Sequence, residues 1–246
     1  MPKKIVGLLG KNIEHSFSKK YFTDKFVTKG ITDFEYKNFP MDSLEDFKSF
    51  WEQNPEVLGL NVTIPYKKTV IPFLAKLNKH AKSIGAVNVI KKRSDGTLKG
   101  YNTDYYGFLQ ALLPLLEPHH KKALVLGTGG ASKAVQYALK ELQLDCKVVS
   151  RTPKKNQLGY DDLNKSLFKE HLIIINCTPL GTSPNTQEFP PIPYKHFSPN
   201  HIAFDLIYNP AETLFLSKAK ARGASIKNGY EMLLLQADAS WKIWKK

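Results

Sequence analysis

The sequence predicts an α/β protein of two domains, the first built on a mainly parallel sheet. Three observations carry this. Short β-branched runs alternate with helical patterns along the whole chain. The pattern changes at Asp104, after which a strand, a glycine turn and a helix follow in immediate succession. The 246 residues, 42% of them hydrophobic, are enough for a sizeable core and for one large or two small domains.

In the first half, strands are expected at 4–10, 34–39, 57–63 and 86–91, and helices at 18–29, 43–53 and 67–82. The second helix has Asp42 or Ser43 as its cap and Glu45 and Asp46 in its first turn. RSDGTLKG (93–100) reads as a hairpin turn, because Asp-Gly supplies the positive φ such turns require.

A helix at 104–116 ends or kinks at Pro114. KKALVLGTGGASKAVQYALKELQ (121–143) is strand, turn and helix. Further strands are expected at 146–152, 172–178, 202–208 and 224–229, with a helix at 211–221. A last, apolar helix at 229–244 offers Met232, Leu233, Leu235, Gln236, Trp241 and Trp244 to some surface. The Pro-rich stretch 183–199 is the one long irregular loop, either a surface excursion or an active-site flap.

Composition narrows the class of protein. No apolar run approaches the roughly 20 residues that cross a bilayer, and the N-terminus carries no signal-peptide pattern, so a soluble cytoplasmic protein is expected. Cys146 and Cys177 lie in apolar strand-like runs and read as buried thiols in a reducing compartment. The net charge of +14 raises the question of a nucleic-acid partner. The lysines are scattered, however, and Arg93, Arg151 and Arg222 are the only arginines, which reads as a solvated surface. The partner expected is a small-molecule substrate, with no nucleic acid and no membrane, for a monomer or homodimer.

LVLGTGGAS places Gly127, Gly129, Gly130 and Ala131 between a strand and a helix. This is the dinucleotide-binding (Rossmann-type) pattern, in which one glycine makes the turn and the next lets a pyrophosphate approach the helix N-terminus. An NAD-specific site places an acid after the next strand. Here that strand ends in Ser150, Arg151 and Thr152, followed by Lys154 and Lys155. A hydroxyl, a guanidinium and an ammonium clamp a 2′-phosphate, so the expected cofactor is NADP.

Hydride transfer to a carbonyl needs a proton donor and no metal, and the seven histidines contain no ligand pair at strand or helix spacing. GYNTDYYG (100–107) sets Asn102, Thr103 and Asp104 where the first domain passes into the second, so a ligand cleft between the domains is expected. Lys67 follows the strand at 57–63. If it meets Asp104, the carboxylate would orient its ammonium for acid–base chemistry.

Eight motifs in order resemble the shikimate dehydrogenase family over nearly the whole chain. They are EHSFSKKYF (14–22), NVTIPYK (61–67), GAVNVI (85–90), GYNTD (100–104), GTGGAS, SRTPKK, NCTPLG (176–181) and NGYEMLLLQA (228–237). The resemblance implies reversible NADP-linked reduction of 3-dehydroshikimate to shikimate, in aromatic amino-acid biosynthesis. It implies a discontinuous substrate domain, 1–104 plus 229–246, and a cofactor domain at 105–228.

It also implies that Ser16 and Ser18 bind the substrate carboxylate. Thr63, Asn88 and Gln236 hydrogen-bond ring hydroxyls, with Asn61 beside them. Lys67 and Asp104 form the catalytic pair and also contact substrate, and Tyr208 closes on it. Thr178, Gly229 and Met232 join the cofactor residues. The chain departs from the family pattern at Lys19 (usually Pro), Ser150 (usually Asn) and Thr182 (often Met). The competing readings are a dual quinate/shikimate dehydrogenase accepting NAD, a non-catalytic NADP-binding module, and a nucleic-acid binder.

Overall fold

The computed structural model describes residues 3–14 and 16–246, so His15 of the EHSFSKKYF motif lies outside the described residues. The chain forms two compact units, Met1–Thr103 with Ala237–Lys246, and Asp104–Gln236.

The first unit contains β1 (Lys4–Gly10), α1 (Phe17–Thr28), β2 (Phe34–Pro40), α2 (Phe47–Gln53), β3 (Val57–Val62), β4 (Lys76–Leu77), α3 (Lys79–Ile84), β5 (Val89–Lys92) and β6 (Leu98–Tyr101). Its sheet runs β2-β1-β3-β5-β6-β4. β1 pairs parallel with β2 and β3, and β4 parallel with β6, whereas β5 lies antiparallel to both β3 and β6. The mixed pairing follows from the 93–100 turn, which folds β5 back on β6 with Gly96 at φ 78°.

Side-chain alternation splits this core in two. Ile5 and Leu9 pack with Leu60, Val62, Phe47 and Trp51 on one face. Val6 and Leu8 pack with Phe22, Phe26, Tyr36, Trp241 and Trp244 on the other. The surface that the last helix was expected to need is therefore supplied in part by α1 and β2 of the same chain.

One expected element is corrected. Residues 67–82 do not form a single helix. A short 3-10 turn (Ile71–Phe73) and β4 precede α3. Pro72 removes an amide, and the Ala75 and Asn78 amides donate to Leu98 and Gly100 at 3.0 and 2.9 Å, drawing the segment to the sheet edge. The helix starts where Asn78 caps the Ala81 amide at 2.8 Å. Similarly, α2 starts at Phe47, so Glu45 and Asp46 lie in the turn before it.

The second unit contains α4 (Asp104–Leu112), β7 (Lys122–Leu126), α5 (Gly130–Glu141), β8 (Asp145–Val149), β9 (Gln157–Leu158), α6 (Lys165–Glu170), β10 (Ile173–Asn176), β11 (Ile202–Asp205), α7 (Leu214–Lys220), β12 (Ser225–Lys227) and the start of α8 (Tyr230–Lys245). All neighbours in the sheet β12-β11-β10-β7-β8-β9 are parallel. The order reverses between β7 and β10, which is the doubly wound dinucleotide-binding topology with its switch point there.

Ala123, Val125, Ile173 and Ile175 face one core with Phe108, Leu112, Val135 and Met232. Leu124, Leu126 and Ile174 face the other with Phe168 and Phe215. Met232 belongs to this core, and so residues 229–236 group with the second unit. β9 and α6 carry no strong pattern in the sequence.

The Pro-rich loop is a packed surface excursion. Ile192 and Phe197 are buried, the Tyr194 hydroxyl donates to the Pro190 carbonyl at 2.9 Å, and the Lys218 ammonium sits 4.5 Å from the Phe189 ring centroid.

Candidate functional site

The polar residues of the first unit converge because β3, β5 and β6 are neighbours. The Val62 amide donates to the Asn88 carbonyl at 2.8 Å, and the Asn88 amide to the Tyr101 carbonyl at 3.0 Å. This brings Asn61, Asn88 and Thr103 together. All three are buried. The Asn88 carboxamide oxygen accepts from the Thr103 amide at 2.6 Å, and its nitrogen donates to the Thr103 hydroxyl at 3.0 Å. Asn61 accepts from the Tyr36 hydroxyl at 2.9 Å and donates to Ser240 at 3.1 Å. Burial pushes the Tyr36 phenol far above its ordinary pKa, partly opposed by the nearby Ser18 hydroxyl.

Ser16 caps α1, accepting from the Ser18 amide at 3.2 Å. Ser18 lies one turn-step further on, with its side chain toward Tyr36. Thr63 follows β3, its amide donating to the Leu9 carbonyl at 2.9 Å and its carbonyl accepting from Tyr66 at 2.9 Å. Tyr66 is buried, and its hydroxyl donates to the Met41 carbonyl at 2.6 Å. That closes the turn which presents Lys67. Lys67 is half-buried, and its carbonyl accepts from Val87 at 2.7 Å, next to Asn88. Lys68 is exposed.

In the second unit, Gly127 has φ +104°, and a Cβ there would lie 3.2 Å from the Cys177 carbonyl, so the turn itself requires glycine. Gly129 is different. Its φ is −70°, and a Cβ would meet nothing within 4 Å. The folded chain gives no reason for glycine there, whereas an approaching ligand does. Gly129 is the N-cap of the 12-residue α5 and supplies no side-chain cap, and Gly130 and Ala131 follow in its first turn, so the amides there suit a pyrophosphate. Ser132 is fully buried, and this accounts for a small residue in the third position.

Ser150 follows β8, the strand beside β7, and is buried, its hydroxyl accepting from the Thr152 amide at 3.2 Å. Arg151, Thr152 and Lys155 stand exposed beyond it, and no carboxylate replaces Ser150. The open Gly129 turn, the switch point and this basic edge fit NADP.

After β10, the Asn176 carboxamide oxygen accepts from the Thr178 amide at 3.0 Å and its hydroxyl at 2.7 Å. Asn176 donates in turn to Asp205 at 3.1 Å. Asp205 also accepts from the Thr213 hydroxyl at 2.6 Å and the Ile207 amide at 3.0 Å. Burial pushes this carboxyl up to about 6, and those three donors oppose the rise. Burial, and then the Asp205 charge, raise the Cys177 thiol as well.

Tyr208 is at the edge of exposure, just past this knot. Gly229 is held by close approach, since a Cβ would strike the Leu206 carbonyl. Met232 sits in the core beneath. Gln236 is buried, donating to the Leu233 carbonyl at 3.0 Å, and Asp104 is a buried residue in the first turn of α4.

Tyr36, Ser240, Asn176, Asp205 and Thr213 were not singled out from the sequence. Asp205 had a usable signal, a carboxylate within the apolar run IAFDLIY. Among the described residues no group of three or more His, Cys, Asp or Glu side chains could hold a metal, and no helix is long and apolar enough to cross a membrane.

Comparison with known proteins agrees with this fold. The family model described as the shikimate dehydrogenase substrate binding domain matches residues 8–90. A curated shikimate dehydrogenase (NADP(+)) of Clostridium botulinum is 38% identical, over 97% of this chain and 95% of that protein. The crystal structure of a shikimate dehydrogenase in complex with NADP+ superposes with a TM-score of 0.88 at 32% identity, covering 98% of this chain and 90% of that one. The Thermus thermophilus enzyme in complex with NADP(H) and shikimate superposes at 0.84 with 30% identity, covering 99% and 93%.

Proposed function

The chain belongs to the shikimate dehydrogenase family, and we propose that it is an NADP-dependent shikimate dehydrogenase that reversibly reduces 3-dehydroshikimate to shikimate for aromatic amino-acid biosynthesis. One observation carries the reading. A single chain joins a unit with clustered neutral donors and acceptors, Asn61, Asn88 and Thr103, to a doubly wound unit whose Gly129 turn stands open. A polyhydroxylated ring acid requires the first, and a dinucleotide the second.

The units take distinct tasks in this proposal, residues 1–104 and 229–246 serving substrate and 105–228 the cofactor. Ser16 and Ser18 receive the substrate carboxylate. Asn61, Thr63, Asn88 and Gln236 hydrogen-bond ring hydroxyls, and Tyr208 covers the substrate. Gly127, Gly129, Gly130 and Ala131 take the pyrophosphate, while Ser150, Arg151, Thr152 and Lys155 hold the 2′-phosphate. Thr178, Gly229 and Met232 lie toward the nicotinamide.

Bound NADP(H) supplies or accepts the hydride. The ammonium of Lys67 donates a proton to the oxygen that becomes the alcohol and takes it back in the reverse direction. Asp104 orients that ammonium. The free thiols Cys146 and Cys177 fit a reducing cytoplasm.

The test is absorbance at 340 nm with shikimate and NADP+, then with NAD+ or quinate substituted. The reading predicts turnover with the first pair and at least about tenfold lower kcat/KM with NAD+. Equal efficiency with NAD+ overturns the cofactor assignment, and equal turnover of quinate favours a dual enzyme. NADP binding without any turnover favours a non-catalytic module.

A further inference from the structure

Five side chains form one hydrogen-bonded line through the first unit. The Tyr36 hydroxyl donates to Asn61 Oδ1 at 2.9 Å. Asn61 Nδ2 donates to Ser240 Oγ at 3.1 Å. The Ser240 and Thr103 hydroxyls lie 3.1 Å apart, and Thr103 Oγ1 accepts from Asn88 Nδ2 at 3.0 Å. Two of the five, Asn61 and Asn88, are assigned to substrate above. Ser240 and Thr103 connect them, and Tyr36 anchors the Asn61 end.

Tyr36 holds the decisive place. Its ring is clamped, stacked on Phe22 with centroids 4.5 Å apart and planes 9° from parallel. Only 2% of the residue is exposed, so its hydroxyl must find partners within the protein. Its partner is Asn61 on β3. The Tyr36 proton goes to the Asn61 carboxamide oxygen at 2.9 Å, and this marks the acceptor end. The Asn88 backbone carbonyl, which can only accept, lies 3.4 Å from the nitrogen end and enforces the same orientation. Asn61 therefore keeps a carbonyl lone pair with a set direction, suited to a ring hydroxyl that donates.

We propose that Tyr36 is a positioning residue for substrate binding, orienting the hydroxyl-side Asn61, with Ser240 and Thr103 extending that order to Asn88. The proposal rests on the reading that Asn61 and Asn88 contact shikimate.

Tyr36→Phe keeps the ring and its stacking and removes only the hydroxyl. The expected result is a rise of about tenfold in KM and Kd for shikimate, with KM for NADP+ within about twofold of wild type. In a double-mutant cycle, Asn61→Ala combined with Tyr36→Phe is expected to bind shikimate within about threefold of the weaker single variant, because Tyr36 acts through Asn61. Ser240→Ala should show the same split between the two ligands, and it carries the test if Tyr36→Phe does not fold.

Unchanged shikimate KM in the folded variants overturns the proposal. So does an equal rise in KM for both ligands, which marks general loosening. A wild-type protein that neither oxidises nor binds shikimate overturns the functional reading and the proposal together, whereas an active wild type with unaffected variants overturns the proposal alone.

Discussion

Asn176 and Asp205 are joined side chain to side chain at 3.1 Å, each at the C-terminal end of its own strand and neither exposed to solvent. Through this bond the loop carrying Thr178 and the loop carrying Tyr208 are set by one buried knot. Replacing Asn176 with Ala leaves Thr178 without its acceptor and Asp205 with one fewer donor. KM for NADP+ should rise about tenfold, and the thermal midpoint should fall, since a stranded buried polar group costs about 1–3 kcal/mol. An unchanged KM in the folded variant would contradict the link between the knot and the cofactor loop.

Asp205 also gives a pH prediction. Burial raises its carboxyl to about 6 from an ordinary value of 3.8. Its protonated form therefore stabilises the fold below pH 3.8, and that contribution is lost as pH rises through about 6. Asp205→Asn carries no such titration. Its stability relative to wild type should thus be more favourable at pH 8 than at pH 5, by about 1.4 kcal/mol, with a matching shift in thermal midpoint. A difference independent of pH would show that the carboxyl is not perturbed.

The buried imidazoles act in the opposite sense. Burial lowers His120, His171 and His201 below the ordinary value of 6.5. Their neutral forms stabilise the fold above pH 6.5, and that contribution is lost as pH falls through the lowered folded values. His201 is held by the Ser198 amide and hydroxyl at 3.1 and 2.9 Å and lies 3.0 Å from the Phe168 carbonyl. His201→Gln should unfold with a shallower dependence on pH between 6.5 and 5, by up to about 1.4 kcal/mol per pH unit. Parallel profiles for the two proteins would dismiss this histidine as a source of acid lability.

The glycine turn separates folding from binding. Gly129→Ala meets open space at an ordinary φ, so the thermal midpoint should hold or rise slightly, by about 0.4–1 kcal/mol in stability. NADP+ affinity should nonetheless fall at least about tenfold, since the new methyl occupies the pyrophosphate approach. Gly127→Ala should destabilise the protein itself, because φ is +104° and the Cys177 carbonyl is 3.2 Å away. Unimpaired NADP+ binding by Gly129→Ala would remove this turn from the cofactor site.

Arg151 is exposed, so its loss should leave stability within about 0.5 kcal/mol. Arg151→Ala should raise KM for NADP+ about tenfold or more and leave KM for NAD+ nearly unchanged. Equal effects on both cofactors would argue against a 2′-phosphate contact.

Much of this is legible in the sequence, for physical reasons. The strand–glycine–helix unit at 121–143 is local, and the fold keeps it. The turn at 93–100 likewise announces itself through Asp-Gly. The segment 67–82 misleads because its residues suit a helix, while amide donation to Leu98 and Gly100 decides otherwise. That pairing links residues far apart in sequence, as do Asn61 with Ser240 and Tyr36 with Asn61. Ser240 lies on a helix with nothing nearby to mark it, and only folding reveals its partner. The roles of Lys67 and Asp104 come from family resemblance, since spacing alone brings neither to the other.

The account depends most on Lys67 as the proton donor. The measurement is kcat for shikimate oxidation by Lys67→Ala, with the shikimate dissociation constant determined on the same preparation. The expected result is a loss of roughly 10²–10⁴-fold in kcat with the dissociation constant within about threefold of wild type. Turnover retained near the wild-type rate would contradict it.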